Sequence, residues 1–120
     1  MTHHESNKQN AAGVPPSEAL DMADLVAYGD GAVVSRTLSD TPAGTLTLFA
    51  FDRGQGLSEH STPYDAFVQV LDGEGEFEIG GKTIRAGRGQ LLLMPADVPH
   101  AVRAPERFKM LLIMFRSGTS

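Results

Sequence analysis

Eight short runs rich in β-branched and aromatic residues crowd into residues 31–115, broken by glycine or proline. They read GAVVSRTL (31–38), GTLTLFAFD (44–52), DAFVQVLD (65–72), EFEIG (76–80), KTIRA (82–86), QLLLMP (90–95), HAVRA (100–104) and RFKMLLIMF (107–115). No helical pattern is read between them, so a βαβ array is excluded. An antiparallel sandwich or barrel is what remains. Gly80–Gly81, between EFEI and KTIRA, can take positive φ at both turn positions and predicts a two-residue hairpin.

At 120 residues the chain makes one domain with room for a core. Residues 1–16 are polar, end in Pro15–Pro16 and are expected to form a flexible tail, with His3 and His4 solvated in it. Residues 17–30 form a short helix or extended arm: Ser17 can cap a helix over 17–25 whose apolar stripe is Leu20, Ala23 and Leu25. The barrel should span 31–116, with a tail at 117–120. Fifteen acids against ten scattered bases, a net charge of −5, provide no basic face for nucleic acid. Cysteine is absent, which removes disulfides, thiolate metal sites and a cysteine nucleophile. No run reaches the ~18 apolar residues of a membrane span, and the start lacks the apolar core of a secretory signal. A cytoplasmic protein with no membrane partner is expected.

Two histidines stand at strand mouths forty residues apart in sequence, His60 after RGQGLSEH and His100 after MPADVPH. A rolled sandwich can bring such positions into one cavity. Their surroundings resemble the two motifs of the cupin superfamily, small RmlC-like jelly rolls also described as double-stranded β-helices. The first family motif is glycine, five residues, His-x-His, three or four residues, glutamate, six residues, glycine. Here Gly54, His60, Thr62, Ala66 and Gly73 occupy those positions. The second is glycine, five residues, Pro-x-Gly, two residues, histidine, three residues, asparagine. Here Gly89, Pro95, Asp97, His100 and Ala104 occupy them.

The resemblance implies an all-β barrel over residues 31–116, and a metal held by two histidines and a glutamate of the first motif with the histidine of the second. His60 and His100 match that set; Thr62 and Ala66 replace its other two members. The implied site is therefore partial: two imidazoles for a divalent ion (Zn, Ni, Fe or Mn) that is weakly bound or absent. Gln69 could join only through a bulge, because strand alternation turns it away with Phe67 and Leu71. Tyr64 and Asp65 could reach over the mouth from the loop, and Glu59 should point away. Alternation directs Ala66, Val68 and Val70 inward with His60 and Thr62. The resemblance sends Phe108, Met110, Leu112 and Met114 to the same side. The ligand-lining set is then His60, Thr62, Ala66, Val68, Val70, His100, Met110, Leu112 and Met114.

The opposite face, with Phe67, Leu71, Leu111, Ile113 and Phe115, is too apolar to leave in water. A homodimer would cover it, as is common among cupins; the segment ALDMADLVAY folding back is the alternative. Two functions follow. One is a binding module for a small-molecule ligand. The other is an enzyme, either a metal-dependent oxygenase or isomerase, or a metal-free isomerase or epimerase with His60 or His100 as base.

Overall fold

The computed structural model describes residues 14–116. His3 and His4 and the tail at 117–120 lie outside the described residues. Nine strands carry the fold: β1 (Val33–Thr41), β2 (Gly44–Phe51), β3 (Gly56–His60), β4 (Ala66–Asp72), β5 (Glu74–Ile79), β6 (Lys82–Gly87), β7 (Leu91–Met94), β8 (His100–Arg103) and β9 (Phe108–Phe115). They form two antiparallel sheets, β1-β2-β9-β4-β7 and β3-β8-β5-β6, packed as a jelly roll. Every expected strand is present. β3 is the addition: Gly54 just before it, Gly56 at its start and the polar Ser58–Glu59 within it disguise it as a turn.

The Gly80–Gly81 hairpin joins β5 to β6 with φ of 57° and 84°. Asp97 occupies the position of the second motif's central glycine and takes the same left-handed conformation, φ 65°. An aspartate is among the few residues that tolerate it.

The helix expected over 17–25 shrinks to a single 3-10 turn, Met22–Leu25. Ser17 is itself left-handed (φ 67°) and Asp21, the residue before the turn, makes no capping bond. The apolar residues of this arm serve tertiary packing instead. Val26 is buried, with Met22, Leu25 and Tyr28, against Leu48, Ala50 and Leu111 on the outer face of the five-stranded sheet. Leu71 and Ile113 join that cluster. Much of the outward set Leu71, Leu111 and Ile113 is thus covered by the chain's own N-terminal arm.

Inside the barrel, cross-strand register stacks the core in layers. Phe108 pairs with Phe51 and their rings stack at 4.7 Å, while Phe77 meets Phe108 edge-on at 5.9 Å. These three fully buried rings fill one end. Moving along β4 and β9, the paired residues are Val70 with Met110, Val68 with Leu112, and Ala66 with Met114. The last layer is the open end, and there the site lies.

Candidate functional site

His60 and His100 are direct partners across β3 and β8. The pairing of β3 steps from Leu57 opposite Val102 to His60 opposite His100, so three residues on one strand face two on the other. That bulge lets Leu57 and His60 share the inner face despite their odd spacing. Glu59 remains exposed. The imidazoles meet edge to face, ring centroids 4.4 Å apart.

Each ring is oriented by its own strand. His60 Nδ1 lies 2.9 Å from the Ser58 carbonyl and His100 Nδ1 3.2 Å from the Val98 carbonyl. A carbonyl only accepts, so in the neutral rings Nδ1 carries the proton and Nε2 keeps its lone pair. This is the orientation that a histidine ligand takes when its other nitrogen is pinned. His100 is buried, and burial lowers its pKa from the ordinary 6.5; the nearby His60 lowers it too, while the Val98 carbonyl works in the opposite direction. His60 is exposed at the rim.

The rings border a cavity of about 50 Å³. Of the nine residues expected to line a ligand site, His60, Thr62, Ala66, His100, Met110, Leu112 and Met114 border this cavity. Val68 and Val70 do not: both are essentially fully buried in the layers beneath the floor. Alternation gave their side of the sheet correctly but not their depth. Three further lining residues, Leu57, Met94 and Val102, were not anticipated. Val102 follows His100 by two residues and was within reach of the same alternation. Leu57 was hidden by the bulge.

The three residues held in reserve for the metal site lie elsewhere. Asp65 accepts a hydrogen bond from the Ala96 backbone at 2.9 Å, which ties its loop to the turn before β8. Gln69 sits on the outer face of β4, between Leu111 and Leu91. Tyr64 is half-buried outside the cavity lining. Thr62 is in the cavity, but its hydroxyl donates to the Tyr64 carbonyl at 3.0 Å. Among the described residues no three His, Cys, Asp or Glu side chains converge on a point.

Residues 47–115, more than half the chain, match the cupin domain family. The chain belongs to the cupin family. Among solved structures, a conserved protein of unknown function from Streptococcus pyogenes superposes with a TM-score of 0.84 at 36% identity, covering 88% of this chain and 93% of that one. A cupin 2 conserved barrel domain protein from Leptotrichia buccalis gives 0.76 at 41% identity, over 78% of this chain and 46% of its own. A cupin superfamily protein from Desulfitobacterium hafniense gives 0.82 at 28% identity, over 87% and 95%. No curated protein matches.

The divalent ion associated with the cupin fold does not fit this donor set. Such an ion normally takes at least three protein ligands. This cupin provides two imidazole nitrogens, an already engaged hydroxyl and a methyl group where the family's carboxylate stands.

Proposed function

We propose that this cupin is a binding module whose barrel mouth holds one small ligand, an ion or a polar group of a few atoms, between His60 and His100. The observation that carries this reading is the convergence of two pinned imidazoles, each with Nε2 free to accept, in a cavity otherwise lined by apolar side chains and one hydroxyl. The size of the cavity supports a small occupant. Pockets for drug-sized ligands run to roughly 300–1,000 Å³, several times the 50 Å³ available here. The enzyme reading is weaker on two counts. The metal-dependent version lacks ligands, and the metal-free version lacks a carboxylate in the cavity lining to act beside the histidine base.

Calorimetric titration with Zn²⁺ or Ni²⁺ tests the proposal, with His3→Ala and His4→Ala in every protein so that the tail contributes nothing. The parent should bind weakly, and His60→Ala or His100→Ala should abolish binding. Thr62→His combined with Ala66→Glu should raise affinity by orders of magnitude, more at pH 8 than at pH 6, because imidazoles must shed protons to coordinate. Tight binding by the parent would mean a ligand has been overlooked, and would favour the enzyme reading.

A further inference from the structure

We infer that the cavity is a site for a soft monovalent cation, Cu(I) or its redox-inert analogue Ag(I), held by His60 Nε2, His100 Nε2 and the thioethers of Met94 and Met114. This deepens the binding reading above and rests on it. Ala66 pairs with Met94 of β7 on one side and with Met114 of β9 on the other, so three strands set Met94, Ala66 and Met114 in one row across the sheet. All three line the cavity, with Met110 two layers deeper. The methyl group of Ala66 is the smallest side chain that could separate two methionines, and it leaves both room to lean inward.

The cavity thus offers two kinds of heteroatom besides the Thr62 hydroxyl: imidazole nitrogen and thioether sulfur. Thioethers are soft donors that select Cu(I), whereas Mg, Ca and Mn prefer oxygen. A monovalent d¹⁰ ion is satisfied by two or three ligands, so a pair of imidazoles that leaves a divalent ion incomplete is nearly sufficient for it. Charge points the same way. All the donors are neutral, and the cost of burying an ion among apolar walls rises with the square of its charge. A single positive charge is therefore far better tolerated here than a double one. A cavity of about 50 Å³ admits a bare ion of this size.

Ordinary core packing is the competing explanation, since methionine fills irregular gaps. Methionine-to-leucine changes separate the two, because they conserve volume and cores tolerate them. With His3→Ala and His4→Ala as background, the full chain is titrated anaerobically with Cu(I) against a chromogenic Cu(I) chelator. In parallel, protein carrying methyl-¹³C methionine is titrated with Ag(I) and followed by NMR. The expected result is one bound equivalent, with the Met94 and Met114 methyl signals shifting and that of Met22, on the N-terminal arm, unmoved. Met94→Leu with Met114→Leu should lower Cu(I) affinity at least about tenfold, the lower bound of what losing even an outer partner of a metal site costs. The same double variant should leave Zn²⁺ affinity unchanged. Failure to hold Cu(I) against the chelator overturns the inference. So do unmoved methyl signals, or a leucine variant that binds Cu(I) as the parent does. In those cases, Zn²⁺ binding that still depends on His60 and His100 leaves the two-imidazole reading standing. If neither histidine affects the binding of any ion, that reading falls as well.

Discussion

His100 is the only polar side chain buried among the described residues, and it is 4% exposed. Its pKa is lowered chiefly by burial, so across the interval between its folded value and the ordinary 6.5 the unfolded chain holds more protons than the folded one. Stability must then rise with pH through that interval, and fall as pH drops below about 6.5. The melting temperature of the wild type should decline between pH 7 and pH 5 more steeply than that of His100→Gln, which has no proton to gain there. Parallel curves would show that the buried imidazole carries no such linkage. Both histidines were legible in the sequence because the family spacing places them at strand mouths, and spacing survives when ligands are lost. The same pattern marked Thr62 and Ala66 as departures. Met94 was equally accessible, one residue before Pro95 and inward by alternation with Leu92, but nothing in a linear reading sets it beside Ala66. That neighbourhood comes from β4–β7 pairing, which only the sheet order establishes.

The N-terminal arm takes its conformation from the barrel it packs on. Apolar spacing over 17–25 suggested a helix, yet the arm is irregular apart from one 3-10 turn, and side chains of the barrel hold its backbone. Lys109 Nζ donates to the Ala23 carbonyl at 2.6 Å and Arg36 to the Leu25 carbonyl at 2.7 Å. Tyr28 lies under Arg107 and Lys109, 5.1 and 4.9 Å from its ring centroid. Its hydroxyl donates to Asp72 at 2.6 Å; burial, followed by this bond to a carboxylate, raises the phenol pKa well above its usual range. Arg107 in turn bridges Asp30 of the arm and Asp52 of the barrel at 2.9 and 2.8 Å. Hydrogen bonds from Arg107, Gly31 and Arg53 hold Asp52 down at about 2. These contacts span up to 86 residues of sequence, a separation over which no local pattern speaks. Tyr28→Phe keeps the ring and removes the bond to Asp72, so it should cost about 1–2 kcal/mol in urea unfolding. An unchanged midpoint would mean that burial of the ring, and not its hydroxyl, secures the arm.

At the scale of the whole molecule, the arm covers only part of the outer face of the five-stranded sheet. Beyond it, Leu91, Leu93 and Phe115 are 63%, 44% and 56% exposed, and Phe67 lies edge-on to Phe115 at 6.1 Å. Leu93 pairs with Phe67 across β7 and β4, so the four residues form one apolar patch ending at the free edge of β7. Two of the other three sheet edges, β1 and β6, differ in kind. β1 exposes Ser35, Thr37 and Asp40, and β6 exposes Lys82, Thr83 and Arg85, residue types that discourage strand addition. β7 carries no such guard, and an apolar edge of this sort in water invites pairing with another chain. A second copy is the occupant best matched to it, because a two-fold interface sets the same patch against itself. A homodimer should therefore centre on Phe67, Leu91, Leu93 and Phe115, and not on the wider face that sequence alternation suggested, because Leu71, Leu111 and Ile113 pack with the arm. Sedimentation velocity at micromolar concentration should show a dimer for the wild type and a monomer for Leu91→Lys with Leu93→Glu. Because Leu91 and Leu93 point outward, both proteins should give the same β-sheet circular dichroism. A wild-type monomer would defeat the prediction. A dimer that survives both charges would move the interface off β7 and leave its open edge to be covered by some other part of the chain.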